Sequence, residues 1–193
     1  MIELNENYWE TRWQNNQTGW DIGYPSTPLK AYFEQIENKD LSILIPGCGN
    51  AYEGEYLVNN GFNNVTLLDI SDTAVAHIKE RIPTIADLVL HKNFFDHQAQ
   101  YDLIIEQTFF CALNPELRKA YTEQMHSLLK NGGRLVGVLF DDKLNEDHPP
   151  FGGSLQEYKP LFSELFEINV MERCKNSIQP RQGREVFINL TKA

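Results

Sequence analysis

Cysteine is scarce in this chain, and nothing about its placement suggests pairing. Three of 193 residues are Cys, and Cys48, Cys111 and Cys174 stand far apart with no Cys-x-x-Cys pair or Cys/His grid around them. Neither a disulfide framework nor a metal site is expected. Long apolar runs are missing as well. No segment approaches the roughly 18 consecutive apolar residues that span a bilayer, and the opening stretch MIELNENYWE is polar and acidic, unlike a secretory leader. The expected location is the cytoplasm, with no membrane partner. Positive charge is also in short supply: 17 Lys and Arg stand against 27 Asp and Glu, a formal charge of -10. The average field of such a surface repels phosphate backbones, so no nucleic-acid partner is expected. Internal repeats, low-complexity tracts and Ser/Gly linkers are absent.

What is present reads as an ordinary packed protein, with 41% apolar and 23% charged residues. A chain of this length suits one domain over residues 1–193, with residues 1–40 forming an N-terminal segment and residues 41–193 an α/β core. The N-terminal segment holds all three tryptophans, then a turn-rich stretch from Gly23 to Pro28 and a helix expected from about Leu29 to Glu37. Beyond it, strand and helix signals alternate. Leu41 to Ile45 is an apolar run stopped by Pro46 and Gly47, and Ala51 to Asn59 suits a helix. Val65 to Leu68 is a second strand ending at Asp69, and Ser71 or Asp72 can cap a helix through Arg81. Leu88 to Leu90 and Tyr101 to Gln107 are further strands, apolar in continuous order as burial on both faces requires. Pro115 suits the first turn of a helix running to about Lys130 and stopped by Asn131-Gly132-Gly133. A fifth strand follows from Arg134, then a helix near 154–165 and two β-patterned runs, FEINVME and REVFINL. The expected fold class is α/β: a doubly wound, Rossmann-like sheet, mostly parallel, with an antiparallel C-terminal strand.

In open α/β sheets ligands bind beyond the carboxyl ends of the strands. That rule gathers Gly47-Cys48-Gly49, Asp69, Asn93-Phe94 and Glu106-Gln107-Thr108 at one crevice. Gly-x-Gly alone fits a tight ligand-free turn equally well. An acid about 20 residues later adds a group that accepts from ribose hydroxyls. Tyr52 stands where a dinucleotide fingerprint has its third glycine, which favours a cofactor with ribose and adenine but no pyrophosphate. His91, Asp96 and His97 lack a further ligand cluster and read as a solvated loop. Cys48 and Cys111 read as small buried hydrophobes.

An ordered set of motifs along almost the whole chain resembles the thiopurine S-methyltransferase superfamily, nearest its thiol and halide methyltransferase branch. The set runs through Tyr8-Trp9-Glu10-x-x-Trp13, Thr18-Gly19-Trp20-Asp21-x-Gly23, Ile45-Pro46-Gly47-Cys48-Gly49 and Leu68-Asp69-Ile70-Ser71. It continues with Tyr101-Asp102-Leu103-Ile104, then Phe109 to Leu113 with Pro115 and Arg118, Gly132-Gly133, Pro149-Pro150-Phe151 and Arg181-x-Gly183-Arg184-Glu185. The resemblance implies S-adenosylmethionine as cofactor, S-adenosylhomocysteine as product, and an N-terminal segment that covers the cofactor. By the same resemblance, cofactor contacts fall to Trp9, Trp13, Trp20, Gly47, Gly49, Asp69, Ile70, Asn93, Phe94 and Gln107. Asn93 stands where the family usually has an acid, and Gln107 where relatives have Tyr or Arg. Candidate acceptor-side residues are Tyr24, Phe109, Phe151, Arg181 and Arg184.

The sulfonium carries the difficult chemistry, so no catalytic protein nucleophile or base is assigned. The implied reaction is methyl transfer to a small soft nucleophile (thiol, thiocyanate or halide) by a monomer. Two alternatives remain: N- or O-methylation of a small metabolite, and a non-catalytic module that binds S-adenosylmethionine. Against the first, the Asn/Asp-Pro-Pro-Tyr/Phe signature of base-modifying amino methyltransferases is missing after the fourth strand, where the chain reads Glu106-Gln107-Thr108-Phe109.

Overall fold

A computed structural model describes residues 3–193. Its centre is a seven-stranded sheet with strands β1 (Ile43–Pro46), β2 (Val65–Asp69), β3 (Val89–His91), β4 (Tyr101–Gln107), β5 (Leu129–Phe140), β6 (Phe166–Arg173) and β7 (Glu185–Lys192). The spatial order is β3-β2-β1-β4-β5-β7-β6. Pairings from β3 through β5 are parallel, and β7 runs antiparallel to both neighbours. Among the described residues six α-helices accompany the sheet: α1 (Glu6–Gln14), α2 (Thr27–Phe33), α3 (Tyr52–Asn59), α4 (Asp72–Arg81), α5 (Arg118–Leu128) and α6 (Leu155–Ser163).

The continuous apolar strands follow from burial on both faces. Leu44 and Ile104 face one core cluster with Tyr121 and Met125 of α5 and Tyr158 and Phe162 of α6. Their neighbours Ile43, Ile45, Leu103 and Ile105 face a second cluster with Phe33 of α2, Leu57 of α3 and Val75 and Ile78 of α4. Each such side chain withdrawn from water stabilises the fold by about 1.5–3 kcal/mol. Strand order reverses between β1 and β4, so the loops after these two strands open the crevice where ligands of doubly wound sheets bind.

Several boundaries differ from the sequence reading. α2 ends at Phe33, and β1 begins at Ile43 because the preceding Ser42 is engaged with Asp102, to which its N–H and hydroxyl donate at 2.8 and 2.6 Å. Pro115–Leu117 form a 3-10 turn ahead of α5. α5 stops at Leu128, because Leu129 is fully buried in register with Tyr101. Asn131-Gly132-Gly133 therefore lies inside β5 as an irregularity before Arg134 pairs with Leu103, and does not form a helix stop. His91, the last residue of β3, and Asp96 in the turn beyond it are exposed. His97 is buried, its Nε2 2.7 Å from the Tyr101 hydroxyl, because the turn after β3 folds inward onto β4. Helix α1 is the one α-helix among the described residues that the sequence reading did not propose; Asn5 caps it, accepting from the Tyr8 N–H at 3.1 Å.

Candidate active site

The loop after β1 turns through three left-handed residues, Gly47 (φ 57°), Gly49 (φ 52°) and Ala51 (φ 57°). At Gly47 a Cβ would overlap the Phe109 ring, so this glycine admits an aromatic side chain from the loop after β4. At Gly49 the nearest side-chain atoms are Trp13 Cζ2 and Trp20 Nε1, each 3.9 Å from the Cβ position. The loop thus has an aromatic wall on one side and an indole roof on the other.

Asp69 closes the end of β2. Its Oδ2 accepts from the Gly49 N–H at 2.9 Å and its Oδ1 from the Ser71 N–H at 3.0 Å. Burial raises its pKa, opposed by hydrogen bonds from the Ser71, Gly49 and Ile70 backbone. Each carboxylate oxygen retains acceptor capacity beyond these contacts. The Ile70 carbonyl lies 2.9 Å from His91 Nε2. Asn93 is exposed, and its Oδ1 accepts from the Phe95 N–H at 3.0 Å. Phe94 is buried edge-on to Phe109 with ring centroids 5.1 Å apart. Gln107 ends β4, and its Oε1 is buried without a hydrogen-bond partner.

The three tryptophans form one cluster, Trp20 lying edge-on to Trp9 at 5.7 Å and to Trp13 at 6.1 Å. Polar ties hold this segment at three places. Glu10 accepts from the Ser71 hydroxyl (2.7 Å), the Thr73 N–H (3.1 Å) and the Thr73 hydroxyl at the start of α4. The Thr73 hydroxyl, with lesser contributions from Ser71 and the Thr73 backbone, lowers its pKa to about 2 against the opposing effect of burial. Asp21 accepts from Asn50 Nδ2 at 2.6 Å and from the Tyr52 hydroxyl at 3.2 Å at the start of α3. Arg181 Nη2 donates to the Trp20 carbonyl at 3.1 Å.

On the other side of the crevice, Glu106 is wholly buried. It accepts from the Phe109 and Phe110 N–H groups (2.8 and 3.0 Å) and from the Tyr121 hydroxyl at 2.6 Å. Burial lifts its pKa to about 7, opposed by these donors. Arg181 is 9% exposed, lies 5.5 Å from the Phe140 ring centroid and pairs with Glu185 at 3.5 Å. Arg118 sits 4.9 Å from the Phe110 ring centroid and donates to the Gly152 carbonyl. Phe151 is buried, its N–H donating to the Cys111 carbonyl at 2.7 Å. Burial raises the Cys48 thiol well above its usual range and pushes Cys111 to about 12. Both are protonated at neutral pH and poorly suited to be nucleophiles.

The structure therefore brings Trp9, Trp13, Trp20, Gly47, Gly49, Asp69, Phe94 and Phe109 together, and joins Arg181 to them through Trp20. Tyr24 is 48% exposed, and Arg184 is exposed and paired with Asp142 outside this group. The sequence reading missed Glu10, Asp21, Glu106 and Ser71 as the groups that tie the loops together. No local signal marks Glu10: Trp9 and Trp13 share one helix face at i, i+4, but the partners of Glu10, Ser71 and Thr73, lie some sixty positions away. Among the described residues, no group of three His, Cys, Asp or Glu side chains could hold a metal ion, and no helix is long and apolar enough to cross a membrane.

The chemistry of the crevice suits S-adenosylmethionine. A buried carboxylate suits ribose hydroxyls, the unpartnered Gln107 Oε1 suits an ammonium group, and indole faces suit a sulfonium.

The thiopurine S-methyltransferase family model matches residues 4–191. A probable thiol methyltransferase 2 from Arabidopsis thaliana is 31% identical over 192 residues, covering 96% of this chain and 84% of the relative. Thiocyanate methyltransferase 1 from Brassica oleracea is 27% identical, covering 94% and 83%. A thiopurine S-methyltransferase from Aliivibrio fischeri is 30% identical, covering 84% of each chain. Among solved structures, the 1,6-didemethyltoxoflavin-N1-methyltransferase of Burkholderia thailandensis with bound S-adenosylhomocysteine superposes with a TM-score of 0.76 at 14% identity, covering 97% of this chain and 87% of that one. The magnesium protoporphyrin IX methyltransferase of Synechocystis with bound S-adenosylmethionine gives 0.76 at 14% identity, covering 100% and 99%. At such identities these two structures show a shared fold.

Proposed function

Since this chain belongs to the thiopurine S-methyltransferase family and is an S-adenosylmethionine-dependent methyltransferase, we propose that its methyl acceptor is a small soft nucleophile: a thiol, thiocyanate or a halide. The observation that carries this reading is the pair of guanidiniums held against aromatic rings beside the crevice. Arg118 lies on Phe110 and Arg181 on Phe140, and at the Cys111 thiol between the loops both oppose the larger effect of the buried Glu106. In a protein of net charge -10 these guanidiniums, Arg181 shared with Glu185 and Arg118 near the same thiol, are the positive charge that draws an anion toward the crevice. Phe109 and Phe151 add a wall that sheds water from a polarizable nucleophile.

S-adenosylmethionine supplies an electrophilic methyl group, so this chain needs to bind, orient and dry the reactants. In this reading Asp69 accepts from the ribose hydroxyls, Phe94 and Asn93 border the adenine, and Gly47, Gly49, Ile70 and Gln107 line the remainder. Trp9, Trp13 and Trp20 close the site over the cofactor. Arg181 holds the closing segment by the Trp20 carbonyl and contributes positive charge on the acceptor side. Tyr24 and Arg184, farther out, have the weakest claim to an acceptor contact. We read residues 1–193 as one cytoplasmic, monomeric unit acting on a small molecule and not on nucleic acid; the net charge of -10 supports the last of these.

The test is a methyl-transfer screen over hydrosulfide, small thiols, thiocyanate, iodide and small amines, read as S-adenosylhomocysteine formed. Turnover of thiols or anions is expected, with kcat/KM rising with pH up to the thiol's own pKa and no such limb for iodide. Turnover of an amine alone would overturn the acceptor class.

A further inference from the structure

We propose that Glu10 is a positioning residue for cofactor binding: it latches the tryptophan-bearing helix α1 onto the start of α4 and couples that closure to Asp69 through Ser71. The inference rests on the reading that the indoles cover the cofactor, and goes beyond it in assigning what holds them there.

α1 has little apolar surface with which to hold itself in place, since Trp13 is its single buried residue. Glu10 reaches across to a different element and takes three donors at once: the Ser71 hydroxyl, the Thr73 N–H and the Thr73 hydroxyl. Two features make this more than a surface contact. An anion at a helix N-terminus meets unpaired N–H groups and the positive end of the helix dipole. Ser71 is also fully buried and shared: its hydroxyl donates to Glu10 while accepting from the Ala74 N–H, and its own N–H donates to Asp69 Oδ1 at 3.0 Å. Asp69 in turn accepts from Gly49, over which Trp13 and Trp20 lie. Glu10, Ser71, Asp69 and Gly49 thus form one chain of hydrogen bonds that starts in the covering helix and ends under its own indoles. Closure of α1 and the placement of the ribose-facing carboxylate are linked through one residue. Glu6 of α1 also lies 3.4 Å from His91 Nε2, but both side chains are exposed and such a contact holds little.

All three tryptophans of the chain sit at positions 9, 13 and 20, so indole fluorescence reports this segment alone. Acrylamide quenching and S-adenosylhomocysteine affinity are measured for the wild-type chain, Glu10→Ala, Glu10→Gln, Thr73→Val and Trp13→Ala. Glu10→Ala is expected to raise the ligand-free quenching constant about twofold and to weaken S-adenosylhomocysteine about tenfold, the scale of a lost set of charge-assisted hydrogen bonds. The KM for S-adenosylmethionine should rise while kcat at saturation stays within about threefold, since Glu10 touches no reacting atom. Glu10→Gln, which keeps an acceptor oxygen, should fall between, and Thr73→Val should shift both readouts the same way by less. Unchanged quenching and affinity in Glu10→Ala overturn the latch, as does a fall in kcat with KM unmoved. If Glu10→Ala fails to fold, Thr73→Val decides by the same readouts. Trp13→Ala separates the two readings: loss of binding there with none in Glu10→Ala sinks the latch and leaves the indole cover standing, whereas full binding in Trp13→Ala sinks the cover itself.

Discussion

β1 and β4 bury every side chain from Ile43 to Ile45 and from Leu103 to Ile105, whereas α1, lying across the crevice beyond those strands, buries only Trp13. The first region is held by apolar area taken from water on two faces. The second is held by Glu10, Asp21 and the Trp20 carbonyl, each meeting a partner from a different element. Polar ties of this sort contribute about 1 kcal/mol each and exchange readily with water, so the covering segment can open while the sheet stays intact. A binding crevice made this way has a rigid floor and a roof that responds to what lies beneath it.

Removing residues 1–22 breaks the comparison most severely. The strands start at Ile43, so the shortened chain should lose only the far-ultraviolet circular dichroism of the nine-residue α1, while affinity for S-adenosylhomocysteine falls about a hundredfold or more. A chain that no longer folds would mean that the tryptophans belong to the core.

Glu106 tests the floor. Its folded pKa of about 7 lies above the ordinary 4.5. A raised carboxyl contributes stability that is fully present below pH 4.5 and lost as pH rises through 7, an effect of about 3 kcal/mol at full burial. Glu106→Gln mimics the protonated form and removes that slope, so urea midpoints of the two proteins should converge at low pH and separate as pH rises to 8. Parallel profiles would show that Glu106 does not titrate in this window.

Asp69→Asn acts at the seam between the regions. The amide oxygen can retain one of the two backbone donors, so the sheet should stay folded while S-adenosylhomocysteine binds more weakly by about 1–3 kcal/mol in calorimetry. Unchanged affinity would take Asp69 out of the site. The smallest effect is expected at Arg184, exposed and paired with Asp142. Arg184→Gln should move stability by less than about 0.5 kcal/mol and kcat/KM for thiocyanate and for a neutral thiol alike. A loss confined to the anion would bring Arg184 into the acceptor site.

The same division governs what the sequence revealed. β1, β2 and β4 were legible because residues covered on both faces are apolar in continuous order, and Ser71 was legible as a cap because capping is local: its hydroxyl accepts from the Ala74 N–H at 3.1 Å. Helix α1 was not, since its polar residues show no stripe and Glu10 acquires its meaning from Ser71 and Thr73, some sixty positions away. Asn131-Gly132-Gly133 misled as a helix stop because pairing of Leu129 with Tyr101 is a long-range fact. The meeting of the first glycine loop with Asp69 was legible from spacing. That a side chain at Gly47 would overlap Phe109 depends on a contact between two loops that spacing does not encode.

Amide hydrogen exchange with and without S-adenosylhomocysteine tests the central claim most directly: a responsive cover on a rigid sheet. Without ligand, amides of α1 should exchange orders of magnitude faster than those of β1 and β4, and ligand should slow α1 by about tenfold or more while leaving the strands nearly unchanged. Exchange in α1 as slow as in the strands before ligand is added, or unaltered by it, would contradict the claim.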